Sequence, residues 1–286
     1  MILGIAWAAV RLVSYASEAG SRAGVLRDNG VIDAWDALGG GGEGMRALLA
    51  SGRVAELEGA DGTALPLDDV ELLTPVPDPE KIIGIGLNYR AHAAEGRMEP
   101  PESPTFFAKF RNALRADGAT VTLPAASAKV DYEAEIAFVV GRRAKDVAEA
   151  EAIDHVAGYT LFNDLSARDL QFATPQWMPG KVFDGAAPCG PAIVTPDEAG
   201  PDDALGLALD LNGERMQESS TADLVFSIPA LIAHLSSLLT LEPGDIVATG
   251  TPAGVGGARE PRVWLRPADE LVVSSPQLGR LRTTIA

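Results

Sequence analysis

From Val130 to Val140 the chain reads Val-Asp-Tyr-Glu-Ala-Glu-Ile-Ala-Phe-Val-Val. Side chains of a strand alternate between two faces. Tyr132, Ala134, Ile136 and Phe138 therefore share one face, and Asp131, Glu133, Glu135, Ala137 and Val139 the other. The second face is acidic at one end and apolar at the other. Residues two apart on a strand face have their Cβ atoms about 7 Å apart, so the oxygens of Glu133 and Glu135 can converge on one hard cation. Without a cation the two carboxylates repel, and partial burial raises the cost. An exposed strand face carrying charge would read the same way.

Around this segment the chain predicts a mostly β protein with peripheral helices. Residues 1–73 read as a small α+β unit. Arg11–Tyr15 and Ala23–Leu26 are its first strands, and Asp28-Asn29-Gly30 is a tight-hairpin signal, because Asn and Gly tolerate positive φ. Val31–Trp35 is the return strand, Gly39–Gly42 a flexible break, and 43–51 a short helix. Three alternating prolines in 74–80 form a stiff connector at which a domain boundary is expected. Residues 81–286 alternate short strands with Gly/Pro turns. Two helices stand out, at about 146–156 with Asp146 as N-cap and at about 229–239 with Pro229 in its first turn.

Other segments carry candidate chemistry. Gly158–Gln171 reads as a strand running into a helical turn, with Asp164 at the junction. Arg168 and Gln171 are three apart on one helical face. A guanidinium beside a metal suits a 2-oxo carboxylate, although an Asp164–Arg168 surface pair would leave the same trace. Glu95 follows His92 by one helical turn and could orient the imidazole and raise its basicity. The chain has five lysines against eighteen arginines, so a retained lysine such as Lys181 is a candidate for a role that needs a compact ammonium. Leu241–Gly256 is a turn, a strand and a Gly/Thr loop whose amides and Thr251 hydroxyl could bind an oxyanion. No Gly-Lys-Ser/Thr follows, so it is not a Walker loop.

Composition limits the alternatives. A net charge of −17 repels phosphate backbones and argues against nucleic-acid binding. The single cysteine, Cys189, sits in Ala-Pro-Cys-Gly-Pro, a turn-like stretch, and reads as structural. One cysteine permits no intramolecular disulfide, which fits a reducing compartment. Met1–Val10 is apolar but lacks a basic n-region and a clear cleavage site, and no run approaches a membrane helix in length. A cytoplasmic protein with no membrane or nucleic-acid partner is expected.

Taken in order, these segments resemble the fumarylacetoacetate hydrolase family. The matching motifs are Gly-Leu-Asn-Tyr-Arg-Ala-His-Ala-Ala-Glu, Pro-Thr-Phe-Phe-Ala-Lys, Val-Asp-Tyr-Glu-Ala-Glu, Tyr-Thr-Leu-Phe-Asn-Asp-Leu-Ser-Ala-Arg-Asp, Gly-Lys-Val-Phe-Asp-Gly and Leu-Glu-Pro-Gly-Asp-Ile-Val-Ala-Thr-Gly-Thr-Pro-Ala-Gly-Val-Gly. The resemblance implies a distorted β-roll domain over 81–286 behind a small N-terminal domain, and a homodimer. It implies Mg²⁺ or Mn²⁺ held by Glu133, Glu135 and Asp164, with Lys181 near metal and substrate. It further implies Arg168, Gln171 and Thr251 on the substrate, and His92 and Glu95 on a lid that supplies the base. The chain departs from the family where Phe110–Arg115 replaces a Pro-rich, Ser/Thr-bearing stretch; that segment is expected to border the pocket. The expected reaction is metal-dependent hydrolysis of an acylpyruvate C–C bond. Oxaloacetate decarboxylation and isomerisation or hydration of an unsaturated 2-oxo diacid are alternatives. A catalytically silent binding protein on the same scaffold is a further one, but it would have no need of His92, Glu95 and Lys181.

Overall fold

The computed structural model describes residues 9–27, 30–96 and 99–286. The apolar Met1–Ala8 segment and the Asp28-Asn29 turn pair lie outside the described residues. Strands β1 (Arg11–Ser17), β2 (Gly20–Arg27) and β3 (Gly30–Asp33) form an antiparallel meander, with Arg27 opposite Gly30. The return strand stops earlier than the expected Trp35. The Asp33 side chain accepts a 2.8 Å hydrogen bond from the Asp36 amide and so caps a one-turn helix, α1 (Ala34–Ala37). Helix α2 (Met45–Ser51) falls within the expected 43–51.

The strands before the connector at 74–80 pair with strands after it. Strand β1 pairs antiparallel with Ala187–Val194, placing Leu12 opposite Ile193. The N-terminal strands thus continue an eleven-stranded open sheet that runs through the whole molecule. Its central strands, Ala134–Val140, Val156–Asn163 and Ile246–Ala248, are buried on both faces. A five-stranded sheet, built mainly from Gly206–Leu211, Glu214–Ser220, Glu270–Ser275 and Gly279–Ile285, packs against it.

The helices sit at the periphery, and one differs from expectation. Residues Glu149–His155 form a 3₁₀ helix preceded by Ala148, with no side-chain cap. Asp146 has φ 54° and caps nothing; its amide is drawn instead to the Ser236 carbonyl at 3.0 Å. The second helix matches: Ile228–Leu238, with Pro229 in its first turn and the Ser227 hydroxyl accepting from the Ala230 amide at 3.2 Å. Cys189 lies within strand Ala187–Val194 rather than in a turn. It is fully buried, and burial pushes its thiol up to about 12, so it is an inert packing residue.

Candidate active site

The strand expected over 130–140 is broken where the chemistry sits. Val130–Asp131 pairs with Ser166–Ala167, whereas Ala134–Val140 pairs with Val156–Asn163 and Ile246–Ala248. Between them side chains replace the missing ladder partners. The Glu133 amide donates to Asn163 Oδ1 at 3.1 Å, and the Ala134 amide to Gln217 Oε1 at 2.9 Å. Antiparallel register sets Ala134 opposite Asn163, so Glu133 lies beside Asp164, whose amide donates to the Glu133 carbonyl at 2.8 Å. Glu133, Glu135 and Asp164 are buried, and one oxygen from each lies within 4.8 Å of the others.

Three cations surround the trio. Lys181 Nζ stands 2.7 Å from Glu133 Oε2 and 2.8 Å from Asp164 Oδ2. Lys109 Nζ lies 2.5 Å from Asp164 Oδ1 and donates to the Lys181 carbonyl. Arg168 Nη1 lies 2.7 Å from Glu133 Oε1. The surface pair between Asp164 and Arg168 does not form. Burial alone would raise the Glu133 carboxyl, but Arg168 and Lys181 outweigh it and hold it far below the usual carboxylate range. Glu135 goes the other way. Burial, then the charges of Asp164 and Glu133, push it well above that range, and the Lys181 charge and a 2.8 Å bond from the Gly250 amide offset them only in part.

The donor set fits a hard divalent cation. It offers three carboxylate oxygens within reach of a single ion, one of them on a residue with no cationic side chain against it. Chain geometry holds that arrangement open. Gly250 has φ +102°, and a Cβ there would come within 3.0 Å of the Asn88 Cβ. Asn88 in turn donates to the Thr249 and Phe226 carbonyls at 2.9 and 3.1 Å, tying the loop after Ile246–Ala248 to the loop after Ile82–Gly86.

The trio, Arg168 and Lys181 line a cavity of about 140 Å³ whose walls carry His92, Gln171, Thr251, Phe107, Phe172 and Trp177. His92 Nδ1 lies 3.2 Å from Glu95 Oε2, on helix α3 (Arg90–Glu95), as the spacing predicts. Glu95 Oε1 accepts from the Gly254 amide at 2.9 Å, clamping that helix to the glycine loop. Burial would raise Glu95, but these two bonds outweigh it and keep the carboxyl below its ordinary value. An ionised Glu95 only accepts, so His92 Nδ1 is the donor of this pair. Gln217 Nε2 donates to Thr251 Oγ1 at 2.8 Å, so the Thr251 hydroxyl proton is free to donate into the cavity.

Phe110–Arg115 does not border this cavity: Phe110 flanks a separate groove with Lys81 and Met178, and Arg111 another with Arg46. The pocket wall comes instead from Phe107, Phe172 and Trp177, with Trp177 edge-on to Phe107 at 6.2 Å. Sequence reasoning also missed Lys109, Asn163, Gln217 and a role for Asp131. Lys109 ends the family-like Phe-Phe-Ala-Lys segment, and the scarcity of lysine applied to it as much as to Lys181.

A model of the fumarylacetoacetate (FAA) hydrolase C-terminal domain matches residues 81–286. The chain belongs to the fumarylacetoacetate hydrolase family. It is 41% identical over 223 residues to a mitochondrial oxaloacetate tautomerase of Xenopus laevis, covering 77% of this chain and 70% of that protein. Among solved structures, a fumarylacetoacetate hydrolase from the psychrophile Exiguobacterium antarcticum superposes with TM-score 0.83 at 30% identity. A 5-carboxymethyl-2-hydroxymuconate delta-isomerase from Mycobacterium smegmatis does so with TM-score 0.78 at 32% identity. Each match covers 96% of this chain and 99% of the other. No helix of the described residues is long and apolar enough to cross a membrane.

Proposed function

We propose that this family member is a divalent-metal-dependent enzyme acting on small 2-oxo acids, and that its reaction is keto–enol interconversion of an oxaloacetate-like 2-oxo diacid. The observation that carries this reading is the shared cavity: one imidazole, oriented by a carboxylate, stands with the acidic trio around only about 140 Å³. A cavity of about 150 Å³ accommodates benzene, so the size suits a compact acid better than a long dienedioate. Similarity to an oxaloacetate tautomerase supports the same choice.

Glu133, Glu135 and Asp164 would hold Mg²⁺ or Mn²⁺. When bound, the cation supplies Lewis-acid stabilisation of negative charge developing at the substrate's ketone. His92 Nε2 takes the proton from the carbon beside the ketone and delivers it to the ketone oxygen to complete the enol, the reverse direction running from oxygen back to carbon, with Glu95 stabilising the imidazolium between the two transfers. Gln171 Nε2 and the Thr251 hydroxyl donate to the substrate carboxylate. Lys181 bridges Glu133 and Asp164 and keeps one N–H for the substrate.

C–C hydrolysis of an acylpyruvate is the second reading, favoured by the aromatic wall of Phe107, Phe172 and Trp177, which suits an uncharged acyl group. There His92 and Glu95 would activate water. The test is to follow enol-oxaloacetate absorbance and product mass with Mn²⁺ or with EDTA, beside an acylpyruvate panel. Rapid enol decay at unchanged mass, abolished by EDTA, is expected. Pyruvate released from an acylpyruvate, without tautomerisation, would replace the first reading with the second. Carbon dioxide released from oxaloacetate would make the enzyme a decarboxylase.

A further inference from the structure

We propose that Asp131 is a positioning residue for the acidic trio: it captures Arg168, so that the guanidinium braces Glu133 instead of gripping substrate. This rests on the reading of Glu133 as a cation ligand and not on which reaction follows.

Asp131 is fully buried at the point where the broken strand turns into the site. Its Oδ1 accepts from the Tyr132 and Gly256 amides at 2.9 and 2.7 Å. Its Oδ2 accepts from the Gly257 amide at 3.0 Å and from Arg168 Nε at 2.9 Å, with Arg168 Nη2 at 2.8 Å. Nη1, the remaining guanidinium nitrogen, faces Gln171 Oε1 at 3.0 Å and Glu133 Oε1 at 2.7 Å. A two-pronged grip on a substrate carboxylate needs two adjacent free N–H groups. Every nitrogen of this fork already faces a protein oxygen, so no such pair is open. With Arg168 on Oε1 and Lys181 on Oε2, both oxygens of Glu133 are fixed. The same aspartate anchors the loop carrying Thr251. Close approach explains the glycine there: a Cβ on Gly256 would sit 2.8 Å from Asp131 Oδ1 and 2.1 Å from the Val263 carbonyl.

The test is Mn²⁺ binding to the metal-free protein by calorimetry, with no substrate present. Four proteins are compared: wild type, Asp131→Asn, Arg168→Gln and the double variant. Asparagine retains an acceptor for the Tyr132 and Gly256 amides but turns an N–H toward the Gly257 amide and the Arg168 N–H groups, which releases the guanidinium. Each single variant should weaken Mn²⁺ binding by about 10–100-fold, the usual loss when a ligand's own hydrogen-bond partner is removed. The double variant should be no weaker than the worse single one. Unchanged affinity in Asp131→Asn would overturn the proposal, as would losses that multiply in the double variant. If Asp131→Asn fails to fold, Arg168→Gln decides alone, because it leaves the Asp131–loop bonds in place. Unchanged Mn²⁺ affinity with a raised KM would return Arg168 to the substrate. No Mn²⁺ binding by wild type would remove the ligand assignment itself. None of these outcomes depends on the tautomerase reading, which a failed substrate assay would remove by itself.

Discussion

Glu135 is the residue at which the site departs furthest from what folding alone would select. Its carboxyl is buried and repelled by two neighbours, and the charge of Lys181, which makes no ion pair with it, only partly offsets them. Glu135→Gln should therefore raise the melting temperature of the EDTA-treated protein, since it removes a buried acid whose ionisation the fold opposes. The same variant should lose the melting increment that Mn²⁺ gives wild type, which at 100 times Kd corresponds to about 2.7 kcal/mol. Scanning fluorimetry with and without Mn²⁺ checks both signs; a variant less stable than wild type in EDTA would show that Glu135 has another compensating partner. His92 makes the opposite case. It donates no ligand to the trio, so His92→Ala should leave Mn²⁺ affinity unchanged and lower kcat by about 10²–10⁴-fold, the range for a general base. Kinetics and calorimetry on one preparation separate these effects, and loss of Mn²⁺ binding would count against the assignment.

At the scale of elements, the strand-to-helix corner at Asp33 is held by charge. Arg22 Nη2 donates to Asp33 Oδ1 at 2.8 Å, the Tyr15 hydroxyl donates to Oδ2, and the same carboxylate caps α1. Burial would raise Asp33, but Arg22, Tyr15 and the Asp36 amide outweigh it and lower the carboxyl below its ordinary 3.8. A depressed carboxyl contributes stability above its unfolded value, and that contribution disappears as pH falls through the folded one. Asp33→Asn, which can still cap, should cost about 2 kcal/mol at neutral pH. The gap should close as pH drops below about 4. Urea melts at the two pH values test this; an equal gap at both would mean that shape, not charge, holds the corner. The broken strand at Tyr132-Glu133 is the other decisive element. Its period-two pattern was readable, but the break was not, because Asn163 and Gln217 supply the replacement hydrogen bonds from distant parts of the chain.

Across the whole molecule, Thr105–Lys109 ends the large sheet, and Phe106 and Phe110 beside it are 38% and 50% exposed. The expected homodimer would cover this edge. Light scattering should give about twice 29.8 kDa, and Phe110→Asp should shift the mass toward one chain; a wild-type mass of 29.8 kDa would remove the expectation. The chain's own order determined much of the site. Glu133 and Glu135 stay together because one residue separates them, although the strand breaks at Glu133; His92 and Glu95 meet by helical spacing, and Arg168 reaches Gln171 for the same local reason. Local periodicity carries such contacts because few torsions separate the partners. Tertiary structure decided the rest. Lys109 reaches Asp164 only because its strand pairs with Ile82–Gly86, and Arg168 turns to Asp131 across 37 positions rather than to Asp164 four positions away. The N-terminal unit joins the large sheet through Leu12 and Ile193. Each of these depends on a choice among buried partners distant in sequence. Desolvation and sheet register make that choice, and neither is written in the spacing of residues along the chain.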